Sequence, residues 1–159
     1  MNPPVHAGVP RFHVAVTRLT DETARAEAHG QTLVLAIKGG DPTLGFNPPE
    51  MLLTAFGACI LSNITRGAAE MGLRVDGAEV VLDGVKRTDP LGVDPLSYRV
   101  VIHSPDDPEA LRDLYRRSTT DGAVTVALLQ GLSPTGELVI AATTPAPMSA
   151  AESSAGAAR

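Results

Sequence analysis

The single cysteine of this sequence, Cys59, is the residue with the clearest potential for chemistry. A free thiol is either a small apolar residue packed in the core or a nucleophile, and a nearby cation or a helix N-terminus favours the reactive thiolate. One cysteine excludes a disulfide within the chain. Chemistry by this chain would therefore depend on an isolated thiol.

Other chemical groups are less promising. The stretch GGDPTLGFNP lacks the lysine and the spacing of a phosphate-binding loop, and aromatic residues are few, so we expect no cofactor. We expect no metal site either, because the histidines lie too far apart for a recognisable ligand spacing; they are His6, His13, His29 and His103.

The segment that contains Cys59 has the pattern of a long helix. Asn47 is a favourable N-cap, Pro48 suits the first helical position, and Glu50 stands where its carboxylate can bond the amide of the cap. Gly72 ends or interrupts the helix. Apolar residues cover a wide arc, so we expect the helix to be buried on most sides for its first four turns, with the thiol partly or fully shielded.

Alternating apolar residues predict a three-stranded antiparallel meander before this helix and a hairpin after it. The meander strands are expected within Phe12–Leu19, Ala24–Ala28 and Thr32–Ile37, and the hairpin strands within Ala78–Val85 and Ser97–His103, joined by the turn-rich KRTDPLGVDPL. A second helix begins near Pro108.

The remainder of the chain completes one domain over residues 11–142. Ala123–Leu129 is predicted as a short helix or a strand, and Glu137–Ala142 as a closing strand. We expect a flexible N-terminus over residues 1–10 and a disordered tail over residues 143–159, since these segments have few bulky apolar residues.

Charge and hydropathy exclude several classes of protein. The formal net charge is -5 without a cluster of basic residues, which argues against nucleic-acid binding. The N-terminus lacks the basic start and apolar run of a secretory signal. The longest nearly apolar run, Met51 to Leu61, is far shorter than the roughly 20 residues of a membrane span. We expect a soluble cytoplasmic protein that does not bind membranes.

The segment GFNPPEMLLTAFGACILSNI resembles the signature of the OsmC/Ohr proteins, which are named for osmotic induction and organic hydroperoxide resistance. The resemblance extends over most of the chain in the order and length of elements. It implies an α+β fold with antiparallel sheets around a long central buried helix, in an intertwined homodimer. Pairing of two such helices would also cover an apolar surface that one chain struggles to cover.

The resemblance also implies a mechanism, from which this sequence departs. In the family a first cysteine attacks the peroxide and a second captures the resulting sulfenic acid; Cys59 matches the first, whereas Gly122 stands at the position of the second. A family glutamate is replaced by Pro49, with Glu50 one residue later. The family arginine has no match in the turn between the first two strands.

These observations leave a limited set of interpretations. The main one is an OsmC-like stress protein, a thiol-dependent peroxidase or sensor that lacks the resolving cysteine and reduces organic hydroperoxides through Cys59, with an external thiol as reductant. The alternatives are a non-catalytic dimer that binds a small apolar ligand between the central helices, and a purely structural dimer. In both alternatives Cys59 is an inert core thiol.

Five further residues are candidates for the site, and four of them carry two interpretations each. Arg25 and Arg18 flank the first turn; Arg25 is either the cation that activates the thiol or an exposed strand residue paired with Glu22 or Glu27. Glu50 is either a site carboxylate or the partner of the helix cap. Two aromatic residues, Phe46 and Phe56, line an apolar entrance or belong to the core.

Overall fold

The computed structural model of the protein describes residues 11–39 and 41–131. Within them the chain forms three α-helices and two antiparallel sheets, an α+β fold as the sequence predicts. Three expectations lie outside the described residues: the N-terminus 1–10, the closing strand at Glu137–Ala142 and the tail 143–159.

The N-terminal sheet is the expected meander. Its strands β1 (Ala15–Arg18), β2 (Thr23–Ala28) and β3 (Gln31–Ala36) pair antiparallel in that order. The turn between β2 and β3 places His29 and Gly30 at positive φ, 51° and 76°. A 3₁₀ turn (Pro42–Leu44) follows and leads into the central helix.

The central helix α1 (Pro48–Met71) begins and ends where the sequence predicts. The Asn47 side chain accepts a hydrogen bond from the Glu50 amide at 2.9 Å, and the Glu50 carboxylate accepts one from the Asn47 amide at 2.9 Å. This reciprocal pair is a capping box. At the other end Gly72 adopts the left-handed conformation, with φ 66°, and closes the last turn.

The hairpin after α1 is longer than the sequence predicts. Its strands are β4 (Gly77–Thr88) and β5 (Leu91–His103), so most of the segment expected to be a turn is paired, and the turn is confined to Asp89 and Pro90. Pro95 is tolerated in β5 because it lies at a register shift, between the paired residues Val93 and Leu96, where it has no ladder partner. The prediction took the segment KRTDPLGVDPL as a turn because of its proline and glycine residues, which was wrong for most of it.

Two shorter helices complete the described chain: α2 (Pro108–Ser118) and α3 (Ala123–Gln130). The structure thus resolves Ala123–Leu129 as a helix rather than a strand. The core forms where one face of α1 meets α2 and the hairpin, and its buried apolar residues are Phe56, Ile60, Ile64, Ala68 and Leu114. Steps of four residues place the α1 members on one face.

The expectation that α1 is buried on most sides is wrong for the single chain. Ala55, Ala58 and Ser62 are exposed, and so is Leu52. The reason is that the hairpin, α2 and α3 cover one side of the helix, and the N-terminal sheet contacts mainly the 3₁₀ turn. α1 is long and apolar enough to cross a membrane by composition, but its packed face identifies it as a core helix of a globular fold.

The N-terminal sheet also leaves an apolar face open. Val16, Ala26 and Leu33 lie side by side in one row across the three strands. Val16 is 58% exposed and Leu33 is 37% exposed. Within one chain this row of apolar side chains therefore lacks full cover.

Candidate functional site

Cys59 lies in the middle of α1, half-buried, on the side that meets the start of α3. A Cβ atom placed on Gly122 would lie 2.3 Å from the Cys59 sulfur, closer than the 3.0 Å that real Cβ atoms keep. Gly122 has φ -85° and ψ 148°, an extended conformation open to any residue. Space, rather than backbone conformation, therefore favours glycine at this position.

Two polar side chains, Asn63 and Thr125, lie near the sulfur, and the Ser118 carbonyl contacts Asn63. We call these three residues, together with Cys59 and Gly122, the thiol cluster. The Thr125 hydroxyl lies 4.0 Å from the Cys59 sulfur, a long hydrogen-bond contact, and Thr125 is 1% exposed. The Asn63 amide nitrogen and the sulfur lie within 2.6 Å and 2.3 Å of the same point at Gly122, so these two atoms are at most about 5 Å apart.

Asn63 holds the thiol cluster together. Its amide nitrogen donates to the Ser118 carbonyl at 3.3 Å, one of the carbonyls that the end of α2 leaves without a helical partner. Its oxygen accepts from the Arg66 guanidinium at 3.1 Å. Since guanidinium has no acceptor, this contact orients the amide with its nitrogen toward the cluster. The Ser118 hydroxyl is buried without a hydrogen-bond partner among the described residues.

Glu50 does not reach the thiol within one chain. Its carboxylate belongs to the capping box, as one of the two interpretations has it. Nine residues separate it from Cys59, which is two and a half helical turns, so the two side chains leave α1 on opposite sides.

The two candidate arginines are paired within the N-terminal sheet. Arg25 lies 3.4 Å from Glu27 on the same strand, which agrees with the interpretation of an exposed strand residue. Arg18 pairs with Asp21 at the first turn. In the described residues, neither arginine has a hydrogen bond or ion pair with α1.

A separate cleft of about 770 Å³ opens on the other side of α1, between the helix, the loop before it and β4. Phe46, which is 47% exposed, lines this cleft together with Glu50 and Leu53. Phe56 instead belongs to the core, where its ring meets Tyr98 edge to face at 5.5 Å. Cys59 is absent from the cleft lining, so thiol and cleft are distinct features within one chain.

The sequence did not predict the polar members of the thiol cluster. Asn63 carried a signal, since it follows Cys59 by four residues on the same face of an otherwise apolar helix. Thr125 and Ser118 carried none, because more than fifty residues separate them from Cys59. Over residues 11–39 and 41–131, the structure has no group of histidine, cysteine, aspartate or glutamate side chains that could hold a metal ion.

Residues 39–135 match the family model of OsmC-like proteins. No curated protein sequence is significantly similar to the chain. Among solved structures, the chain is similar to the OsmC-like protein from Mycoplasma pneumoniae, with a TM-score of 0.70 and 18% identity over 77% of this chain and 89% of that one.

Two further solved structures are similar to the chain. The organic hydroperoxide resistance protein OsmC from Legionella pneumophila has a TM-score of 0.58 and 15% identity, over 76% of this chain and 91% of that one. The organic hydroperoxide resistance protein OhrB of Bacillus subtilis has a TM-score of 0.53 and 17% identity, over 73% of this chain and 90% of that one. At these identities the similarity establishes the fold.

Proposed function

This chain belongs to the family of OsmC-like proteins, and on that premise we propose that it is a stress-response protein in which Cys59 reduces, or senses, organic hydroperoxides. It is a thiol-dependent peroxidase of the cytoplasm that lacks a resolving cysteine, so an external thiol completes its cycle. The hydroperoxide resistance proteins of similar fold support this assignment.

One observation supports the proposal most strongly: a buried hydroxyl contacts the Cys59 sulfur. A structural core cysteine behaves as a small apolar residue among aliphatic neighbours. Here the Thr125 hydroxyl lies 4.0 Å from the sulfur instead, and Thr125 is buried. A buried hydroxyl is costly without a good partner, so its contact with the thiol supports a sulfur that carries charge or oxygen.

The chemistry requires two steps. In the first, the Cys59 thiolate attacks one peroxide oxygen; a sulfur–oxygen bond forms, the oxygen–oxygen bond breaks, and the leaving alkoxide takes a proton to become an alcohol. The cysteine is oxidised to a sulfenic acid and the hydroperoxide is reduced. Since Gly122 provides no second sulfur, the sulfenic acid cannot form a disulfide within the chain.

In the second step, an external thiol attacks the oxidised sulfur and releases the oxygen as water, which leaves a mixed disulfide. A second external thiol then displaces Cys59 as a thiolate and becomes part of an external disulfide. Each turnover consumes one hydroperoxide and two thiols.

We further propose that the chain acts as a homodimer. Two surfaces favour this state: the exposed small residues of α1, Ala55 and Ala58, and the open apolar row at Val16 and Leu33. Burial of both by a second copy would remove apolar area from water. A partner copy is also the source from which Arg25 or Arg18 could approach the thiol.

Trapping of the sulfenic acid tests the function. The full chain is treated with cumene or tert-butyl hydroperoxide in the presence of dimedone, and the adduct is located by mass spectrometry, with Cys59→Ser as control. We expect one dimedone adduct on the wild-type chain, at Cys59, and none on the control. An unmodified wild-type thiol at excess peroxide would contradict the proposal.

The cleft favours a second candidate function, a non-catalytic dimer that binds a small apolar ligand. Its volume of about 770 Å³ lies in the range of small-molecule sites, and Phe46 and Leu53 give it apolar walls. Cys59→Ala would leave ligand affinity unchanged under this function, whereas it would abolish peroxide reduction under the first. Native mass spectrometry of the purified chain would reveal a ligand that co-purifies.

A further inference from the structure

We propose that Thr125 is a positioning residue for the Cys59 thiolate: its buried hydroxyl donates a hydrogen bond to the sulfur and favours the ionised, reactive form. This inference rests on the proposed function, because it concerns the same thiol. It assigns a role to a side chain on α3 that contributes to the site across 66 positions of sequence.

The first argument is the isolation of this hydroxyl. Thr125 is 1% exposed, so its hydroxyl exchanges no hydrogen bond with bulk water. Its one hydrogen-bond partner among the described residues is the Cys59 sulfur, at 4.0 Å. A buried hydroxyl without a good acceptor is destabilising, and a neutral thiol is a weak acceptor. The hydroxyl therefore gains most when the sulfur is a thiolate, which is a strong acceptor.

The second argument is the shape of the thiol cluster. The sulfur occupies the space that a side chain at position 122 would take, as the 2.3 Å approach shows. Thr125 Oγ1 lies 3.1 Å from the same point, and Asn63 Nδ2 lies 2.6 Å from it. The Thr125 hydroxyl from α3 and the Asn63 amide nitrogen from α1, which donates to the Ser118 carbonyl, therefore lie around the same point as the sulfur.

The third argument is a spare hydrogen-bonding group beside these donors. Ser118 is 1% exposed and its hydroxyl lacks a partner among the described residues. An unsatisfied buried polar group is rare in native proteins and is often associated with a redox or catalytic role or with an ordered water. A second buried hydroxyl of the thiol cluster thus has no partner in the described part of the chain.

The charged groups on the surrounding elements are the same in wild type and variants. They are Glu50, Arg66 and Glu70 on α1, Glu109, Arg112, Asp113, Arg116 and Arg117 on α2, and Asp121 in the linker before α3; α3 itself has no titratable residue. A difference in pH dependence between wild type and a Thr125 variant therefore reports the hydroxyl.

The test measures the rate of Cys59 alkylation by iodoacetamide from about pH 5 to 10, because the thiolate is the reacting form. The chain has one cysteine, so the adduct mass reports this residue alone. The variants are Thr125→Val, which removes the hydroxyl at nearly constant volume, and Thr125→Ser, which keeps it. Thr65→Val is the matched control, since that exposed hydroxyl bonds its own helix at the Leu61 carbonyl.

We expect Thr125→Val to slow alkylation about tenfold at neutral pH and to move the profile about one unit toward higher pH, the effect of one hydrogen bond to a charged group. Thr125→Ser and Thr65→Val should keep the wild-type profile. Should Thr125→Val fail to fold by circular dichroism, Thr125→Ala takes its place with the same expectation.

An unchanged profile in a folded variant without the hydroxyl would overturn the inference. Because alkylation uses no peroxide, this result is independent of the proposed function. An unshifted profile together with a dimedone adduct would refute the role of Thr125 alone, whereas a shifted profile without an adduct would refute peroxide reduction alone.

Discussion

Substitution of Gly122 by alanine tests the packing of the thiol cluster. The added methyl group would lie 2.3 Å from the Cys59 sulfur and 2.6 Å from the Asn63 amide nitrogen, so both side chains must move. The backbone at Gly122 is extended and suits alanine without strain. The effect therefore isolates the steric contact.

The expected change in the free energy of unfolding is the sum of two destabilising contributions and one stabilising contribution. Overpacking in a well-packed region costs about 1–3 kcal/mol. Displacement of Asn63 also weakens its hydrogen bond to the Ser118 carbonyl, which leaves buried groups unsatisfied at about 1–3 kcal/mol. Replacement of glycine lowers the entropy of the unfolded chain and returns about 0.4–1 kcal/mol. We expect the free energy of unfolding to fall by about 3 kcal/mol and Tm by roughly 6–12 °C.

Thermal unfolding monitored by circular dichroism measures this change. Gly77→Ala is the control, because a Cβ atom at Gly77 would lie at an ordinary contact distance of 3.5 Å from His103. Alkylation of Cys59 by iodoacetamide in the same variant reports whether the sulfur has moved. If Gly122→Ala unfolds at the wild-type temperature, with unchanged alkylation, the sulfur does not pack against Gly122 and the geometry of the thiol cluster is refuted.

Three further predictions concern the core, the cap and the assembly. Leu114→Ala should lower the free energy of unfolding by about 2–5 kcal/mol, because Leu114 is fully buried. Leu129→Ala, at a position that is 76% exposed, should change it little, and urea denaturation of both variants measures the difference. Asn47→Ala should cost about 0.5–2 kcal/mol through loss of the capping box, and equal stability in thermal unfolding would contradict that role. Val16→Glu should convert the proposed dimer to a monomer, whereas Val85→Glu, at a position equally exposed at 58%, should not. Size-exclusion chromatography coupled to light scattering measures the oligomeric state, and a monomeric wild type would refute the dimer.

The sequence predicts best what neighbouring residues determine. The start of α1 depends on Asn47 and Glu50, three positions apart, and its end depends on Gly72; the structure has both. The meander and the α+β class follow from the alternation of apolar and polar residues, which is visible within each strand. The length of the hairpin does not, because a strand accommodates Pro95 where its register shifts, and sequence alone does not indicate where that shift occurs.

The candidate site is predictable only in part. Cys59 is visible as the single thiol, and Asn63 shares its helical face. Its other neighbours are set by how α2 and α3 dock onto α1, a long-range arrangement that no local pattern encodes. Glu50 shows the converse case: a carboxylate near the thiol in sequence points away from it, because the helical period turns it to the opposite side.

The strand pairing of this fold has a consequence for how it forms. β1 pairs with β2, β2 with β3 and β4 with β5, so within the described chain every strand partner is the next strand along the polypeptide. Loops that close such hairpins are short and their entropic cost is small. A low contact order of this kind is associated with rapid folding, so we expect both sheets to assemble early, each as a locally encoded unit.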